Sequence, residues 1–362
     1  MNFSTMPHYI IEHLPSFLLS LLGIGAVMAV HEYGHFIFGK LFNVCMTDFS
    51  IGFGPKMLKK KCGETTYSLS LIPMGAYVGF SNDPQIAGNN RTLKTKKYWQ
   101  KMCIVSGGIL FNLIFAYIIF LGLSMTGMPA NSFLSKNSRY CIQNIAPESC
   151  AAKAGLQVND RIIELNNVKV DSSTSLLLDT LAPLAHQTIP VIIERNGAQQ
   201  SLQITLDGKT NGSTERGFLG VGFSYDPIAP TSFIDAIPQA FTMVTSIATG
   251  TVLALKNAIV KKSAHEFSGP LMALAQTAHG AKQGIKIFLI VLAFISVGLA
   301  VLNVLPLPVL DGGNALMYTI EAIIRRPINE HVQNIIYITG ALFLGLFFLY
   351  ITFKDVILLF FK

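Results

Sequence analysis

Long apolar stretches dominate the hydrophobic pattern of this chain. The first, residues 15–42, has no charged side chain before its HEYGH sequence, and the second, residues 103–128, has none at all. Two more apolar stretches cover residues 285–309 and 335–353. Because a helix of roughly 20 apolar residues spans the ~30 Å hydrocarbon layer of a bilayer, the pattern predicts about four transmembrane helices.

Alternation with a period of two appears between the first two stretches. Apolar residues occupy every second position around Phe49–Phe53 and again around Tyr67–Leu71. Two such runs, joined through residues 56–64, predict a membrane-associated β-hairpin. An unpaired edge of this hairpin could accept an extended substrate as an added strand, but a purely structural loop fits the pattern equally well.

Residues 131–227 contain no apolar run of membrane length and predict a separate α+β domain. The predicted strands are 140–145, 160–166, 189–195 and 200–206, and the predicted helices are 151–155 and 172–182. Asn196-Gly197 is a typical two-residue hairpin turn.

The segment after this domain has two interpretations. Residues 233–260 are long enough to span a membrane, but they are rich in Thr and Ser and include Pro238 and Gly250. We interpret 228–284 as an amphipathic, membrane-associated segment. A spanning helix here would instead invert every later span. The predicted organisation is therefore a membrane core in 1–130 and 285–362 around these two inserted parts.

Composition and charge support a multi-pass membrane protein. The chain is 51% hydrophobic and only 13% charged, with a mean hydropathy of +0.48. Residues 40–101 carry ten Lys or Arg against three acids. The positive-inside rule places this loop in the cytoplasm and residues 131–227 outside. We therefore expect membrane lipid, and no nucleic acid, among the partners of this basic chain.

Two of the five cysteines, Cys141 and Cys150, fall in the predicted external domain. Oxidation is possible there, so the pair is either a disulfide or two thiols. A strand and a helix need not bring the two Cα atoms within bridging distance.

The HEYGH sequence at 31–35 is the main candidate for chemistry. On a helix, His31 and His35 lie on one face, at the spacing that two ligands of Zn²⁺ require, and Glu32 is placed as a general base. The same pattern occurs by chance in soluble helices. Inside an apolar span, however, an ionised carboxylate costs about 2.5–3.5 kcal/mol, which favours a metal site in a wet pocket.

A second polar feature interrupts the third apolar stretch. Two prolines and two glycines surround Asp311 in the sequence PLPVLDGG, and they break the helix at membrane depth. Asp311 therefore supplies the carboxylate ligand that two histidines lack in a catalytic zinc site. Asn112, in the second stretch, either faces the bundle interior or lies near the metal.

These motifs together resemble the site-2 protease family of intramembrane zinc metalloproteases, and within it the bacterial RseP-like group that regulates sigma-factor stress responses. The shared motifs are HEYGH, NVLPLPVLDGG, IGFGP at 51–55, IPMGAYV at 72–78, GILFN at 108–112 and SGP at 268–270. The resemblance implies zinc ligands at His31, His35 and Asp311, a catalytic base at Glu32, and substrate binding by Asn303 and Asn112. It also implies a periplasmic PDZ-like domain, carried by the sequence AAKAGLQVNDRIIELNNVKV, and location in a bacterial inner membrane.

The expected function is cleavage of transmembrane segments of single-span membrane proteins, such as anti-sigma-factor-like substrates or signal-peptide remnants. The external domain would exclude substrates that have not been trimmed. Two alternatives use the same residues without proteolysis: a metal-binding membrane scaffold and a zinc transporter. Transporters often contain repeated sets of spans, and none is evident in the sequence.

Overall fold

The computed structural model describes residues 6–81, 83–87, 90–129, 140–170, 180–211, 214–225, 228–261 and 269–360. The chain divides into two compact units, one formed by Met1–Gly122 with Phe233–Lys362 and the other by Leu123–Ser232. The predicted external domain, 131–227, lies within the second unit.

Helices dominate the first unit. The helices among the described residues are α1 (Met6–Leu41), α2 (Pro84–Ala87), α3 (Tyr98–Thr126), α4 (Cys150–Lys153), α5 (Phe233–Lys261), α6 (Pro270–Gln283), α7 (Ile285–Val304), α8 (Asp311–Ile324) and α9 (Glu330–Phe360). Short 3-10 helices occur at Leu93–Thr95 and Ala182–Leu184. The apolar pattern does not predict helix α8, because it assigns the residues after the break to the end of the third span.

Within the described residues, five helices are long and apolar enough to cross a membrane. They are Leu14–Leu41, Tyr98–Thr126, Phe233–Ala258, Ile285–Val304 and Glu330–Ile357. Four of them correspond to the four predicted spans, and the protein is a multi-pass membrane protein. The fifth lies in the segment that we interpreted as membrane-associated. It forms one continuous helix despite Pro238 and Gly250, and its placement on or across the membrane stays a prediction.

The packing of α1, α3 and α7 fixes their relative directions. Phe288 and Leu292, early in α7, pack at Gly23 of α1, and Asn303, at the end of α7, borders the same cavity as His31. Helices α1 and α7 therefore run in the same direction. Helix α3 is antiparallel to α1, because Ile104 contacts His35 and Asn112 contacts the earlier His31.

The predicted hairpin is present as β1 (Met46–Cys62) and β2 (Thr65–Phe80). Residues 56–62, which we expected to join the strands, belong to β1 itself, and the turn is confined to Gly63 and Glu64. The two strands bend, so that residues 48–51 pair with 76–79 on one side and with 66–69 on the other. Glu64 accepts a hydrogen bond of 2.7 Å from Lys40, which holds the turn at the end of α1.

The second unit contains the remaining strands. They are β3 (Tyr140–Ile145), β4 (Arg161–Leu165), β5 (Val168–Lys169), β6 (Thr188–Arg195), β7 (Ala198–Thr205), β8 (Asp207–Asn211), β9 (Thr214–Phe218) and β10 (Val221–Tyr225). Six of them form a sheet in the order β10-β3-β4-β6-β7, with β5 beside β4, and β8 pairs with β9. The four predicted strands correspond to β3, β4, β6 and β7. Most of predicted helix 172–182 lies outside the described residues.

Alternating residues of the sheet form the core of this unit. Ile142, Ile162, Leu165, Val191, Ile193 and Ile204 are fully buried. Arg195 pairs with the buried Asp160 at 2.6 Å and also donates to the carbonyl of Gly155. Asn159, beside this pair, has a φ of 74°, a left-handed conformation that asparagine tolerates better than most residues.

The disulfide alternative for Cys141 and Cys150 is wrong: the structure contains no bond between them. Cys150 begins α4, directly after the capping residue Ser149. Its thiol points into the core and donates to the backbone carbonyls of Phe218 at 3.2 Å and Leu219 at 3.3 Å. Burial raises the pKa of this thiol.

Candidate metal centre and active site

Helix α1 places His31 and His35 one turn apart on the same face. Both side chains are buried, and their Nε2 atoms lie 3.2 Å apart. This closeness follows from the helical repeat, which stacks residues i and i+4 on one face. Two bare ring nitrogens repel each other at this distance unless a proton or a cation lies between them.

Asp311 reaches the two histidines from the break after α7. Helix α7 ends at Val304, and α8 begins with Asp311 itself. Cβ atoms at Gly312 and Gly313 would lie 2.2 Å from the carbonyl oxygen of Val304 and 2.1 Å from that of Leu307. Only glycine therefore allows the first turn of α8 to pack on this loop. Val309, in the same loop, has a φ of 80°, a strained conformation for a β-branched residue.

The three candidate ligands fit one metal ion. Asp311 Oδ2 lies 3.2 Å from His31 Nε2, and Asp311 Oδ1 lies 3.4 Å from His35 Nε2. Ligand atoms of tetrahedral zinc, with bonds of about 2.0–2.1 Å, are about 3.3–3.4 Å apart. Oδ2 is buried and makes no hydrogen bond with any described residue. Two imidazoles and one carboxylate with a fourth position open are a typical donor set for catalytic zinc.

Helix α3 supports both imidazoles from behind. His35 Nδ1 lies 2.8 Å from the backbone carbonyl of Ile104, and a carbonyl can only accept. Nδ1 therefore carries the proton, which leaves the lone pair of Nε2 available to a metal. The side-chain amide of Asn112 lies 3.2 Å from His31 Nδ1. Ser296 of α7 donates to the backbone carbonyl of Asn112 at 2.8 Å.

Glu32 forms a cluster of potential ligand atoms with His31 and His35, and these atoms all lie within 4.8 Å of one another. The cluster opens into a cavity of about 350 Å³, large enough for water and an extended backbone segment. The cavity is lined by Met28, His31, Glu32, His35, Phe80, Leu93, Ile104, Val105, Leu299, Asn303, Val309, Asp311, Asn314 and Tyr318.

The hairpin contributes one wall of the site. Phe80, at the end of β2, lines the cavity, and residues 76–79 pair with 48–51 along one side. On the other side of 76–79, the described residues add no further strand, and the backbone of Val78 hydrogen-bonds to the Glu32 carboxylate. An edge of the hairpin that pairs with no other described strand therefore lies at the candidate active site.

The two residues predicted to bind substrate, Asn303 and Asn112, differ in their position relative to the cavity. Asn303 is buried at the end of α7 and lines the cavity. Asn112 does not line the cavity: it is fully buried and contacts His31. Asn314 and Tyr318, which were not predicted, line the cavity from α8. Their spacing from Asp311, three and seven residues, is the helical signal that would have found them.

Comparison with known proteins identifies the family. The model of Peptidase family M50 matches residues 19–347, which includes every candidate residue above. The chain belongs to this family. The match confirms the resemblance to site-2 proteases, and the protein is a zinc metalloprotease.

Curated relatives match along nearly their whole length. The Clostridium perfringens zinc metalloprotease CPE1693, whose name marks its activity as provisional, is 29% identical over 343 residues, covering 94% of this chain and 98% of the relative. Zinc metalloprotease RasP of Bacillus licheniformis is 25% identical over 419 residues, covering 93% of this chain and 97% of RasP. Membership of a peptidase family favours proteolysis over the scaffold and transporter alternatives.

Proposed function

We propose that this M50 peptidase cleaves transmembrane segments of single-span membrane proteins. The observation that carries the proposal is the meeting of His31, His35 and Asp311 within 3.4 Å. These residues come from α1 and from the break after α7. Both helices are long and apolar enough to cross a membrane. A hydrolytic site built on such helices acts on peptide bonds at membrane depth.

In this proposal His31, His35 and Asp311 hold zinc, and Glu32 is the general base. When bound, zinc supplies a Lewis acid that polarises the scissile carbonyl and acidifies a water molecule. Glu32 accepts the proton of the attacking water and passes it to the leaving nitrogen. Asn303, at the cavity wall, is a candidate to bind the substrate backbone.

The substrate must unwind before it can be cleaved, because a transmembrane helix hides its peptide bonds in internal hydrogen bonds. The open edge of residues 76–79 can pair with the unwound segment as an added strand. Pairing would replace the hydrogen bonds that the substrate loses. Substrates with helix-breaking residues near the cleavage point should therefore be cleaved faster.

The second unit is proposed to be a PDZ-like domain on the periplasmic side of a bacterial inner membrane. Its sheet order and the AAKAGLQVNDRIIELNNVKV sequence support the PDZ assignment. The basic residues between α1 and α3 support its placement on the opposite face. There it would exclude substrates with bulky external domains and admit trimmed ones, such as processed anti-sigma factors or signal-peptide remnants.

Reconstitution tests the proposal directly. The purified protein is incubated in lipid nanodiscs with a panel of single-span membrane proteins, with and without a zinc chelator. We expect cleavage within a transmembrane segment, lost on chelation and restored by added zinc. Cleavage restricted to soluble segments of the panel, or cleavage unaffected by chelation, would overturn the proposal.

A further inference from the structure

The two imidazoles of the candidate metal centre are supported from α3 in different ways. His35 donates from Nδ1 to a backbone carbonyl, which fixes its tautomer without any side chain. His31 Nδ1 has a side-chain amide as its neighbour, that of Asn112 at 3.2 Å. The tautomer of His31 therefore depends on which end of this amide faces the ring.

The recorded orientation of Asn112 has its Nδ2 atom toward His31, while Oδ1 is buried and makes no hydrogen bond with any described residue. The oxygen and nitrogen of an amide are assigned from their surroundings, and in the recorded orientation the far end has no described partner. The orientation of the Asn112 amide therefore has to be inferred from the chemistry of His31.

Only one orientation allows His31 to bind a metal through Nε2. If the Asn112 amide donates, Nδ1 must accept, and a neutral ring then carries its proton on Nε2. That atom faces His35 Nε2 and Asp311 Oδ2, where the ligand lone pair is needed. If Oδ1 faces the ring, Nδ1–H donates to it and Nε2 is free.

We propose that Asn112 is a positioning residue that accepts a hydrogen bond from His31 Nδ1 through Oδ1 and so fixes the metal-binding tautomer. This inference rests on the proposed function, because it takes His31 as a zinc ligand. It replaces the expectation that Asn112 binds substrate. The residue is fully buried, and Ser296 fixes its backbone at 2.8 Å, so its amide has little freedom to serve another partner.

The test compares zinc affinity, measured by chelator competition, in three variants of the full chain. Asn112→Leu keeps the shape of the side chain but removes the acceptor, and we expect zinc affinity to fall about 10–100-fold. Asn112→Asp keeps the acceptor, and its affinity should stay within about threefold of the original. Ser20→Ala removes a buried side-chain hydrogen bond of α1, to the backbone carbonyl of Phe17, without touching His31 or Asn112 and should leave the affinity unchanged.

Cobalt substitution adds a spectroscopic readout, because the visible absorption of Co²⁺ reports its ligand geometry. The Asn112→Leu spectrum should differ from the original, and the Asn112→Asp spectrum should match it. If Asn112→Leu does not fold, Asn112→Ser, whose hydroxyl is too short to reach the ring, takes its place. Unchanged zinc affinity in the acceptor-free variant, or equal losses in the Leu and Asp variants, would overturn the inference.

A His31→Ala variant separates this inference from the proposed function. Loss of zinc in His31→Ala with unchanged binding in Asn112→Leu would overturn only the role of Asn112. Full zinc retention in His31→Ala would instead remove His31 from the ligand set, and the proposed function would fail with it.

Discussion

Gly108 lies directly against His35: a Cβ atom at this glycine would be 2.5 Å from Nε2 of the imidazole and 2.6 Å from Cε1 of His31. Helix α3 therefore approaches the two ring nitrogens so closely that no side chain fits between them. The approach also brings the carbonyl of Ile104 and the amide of Asn112 to the far sides of the rings. Gly34 and Gly107 allow the same close approach of α1 and α3, since a Cβ atom at Gly34 would lie 2.2 Å from the carbonyl oxygen of Gly107.

The first prediction follows from this contact. Gly108→Ala should displace the imidazoles and weaken zinc binding at least about tenfold, because real Cβ contacts do not occur below 3.0 Å. Gly122→Ala is the matched control, since its Cβ would meet nothing within 4 Å on the same helix. Zinc titration of both variants measures the two affinities. Equal affinities would show that the rings adjust without loss.

The second prediction concerns Asp311. Asp311→Ala removes the only carboxylate within 3.4 Å of both ring nitrogens among the described residues. Zinc content after dialysis should fall clearly below that of the original protein. Asp83→Ala, which alters an exposed aspartate between β2 and α2, should retain full zinc. Full retention in the Asp311 variant would exclude this residue as a ligand.

The third prediction separates chemistry from metal binding. Glu32→Gln preserves the shape of the side chain but cannot accept a proton, so turnover should fall about 10²–10⁴-fold while zinc content stays near normal. Glu330→Gln, at an exposed ion pair with Lys94, is the matched control and should retain turnover. Residual activity near the original level in Glu32→Gln would contradict the assignment of the base.

The fourth prediction concerns pH and the hairpin turn. The hydrogen bond from Lys40, with help from Arg91, lowers the pKa of Glu64. A carboxylate whose pKa is lowered on folding stabilises the folded state above its ordinary pKa, and this stabilisation is lost as the pH falls through the lowered value. Because these groups are partly exposed, the effect should be below about 1 kcal/mol.

Hydrogen exchange of the hairpin amides measures this effect. Protection near Gly63 should fall as the pH drops through the acid range, after correction for the intrinsic exchange rate. Glu64→Gln should lack this pH dependence. A hairpin with the same acid dependence in both proteins would show that other groups control it.

The fifth prediction distinguishes two cysteines. Cys62 is exposed, whereas Cys150 is buried and hydrogen-bonded, and burial raises its pKa. A raised pKa leaves less thiolate at neutral pH, so an alkylating reagent should modify Cys62 quickly and Cys150 slowly. In denaturant both should react at similar rates. Mass spectrometry of timed samples without reductant makes the measurement, and rapid modification of native Cys150 would contradict the structure.

The sequence by itself determined the parts of this protein that depend on local periodicity. Four apolar stretches, one period-two hairpin and four strands of the second unit were predictable, because each depends on which neighbouring residues are apolar. The pairing of His31 with His35 was equally local, since a helical repeat alone brings the two rings together. The special position of Asp311 was predictable because the neighbouring prolines and glycines break a helix inside an apolar stretch, where such breaks are rarely tolerated.

Only the tertiary structure decided how these parts meet. By sequence alone, the amide of Asn112 could face either the bundle interior or the metal. The packing of α3 against α1 places this amide against His31. Asn314 and Tyr318 line the cavity because α8 begins at Asp311 and folds back toward α1. Cys150 lies in the core because its thiol meets the backbone carbonyls at the end of β9. Such contacts join residues that are distant in the chain, and hydrophobic periodicity carries no information about which distant faces pack together.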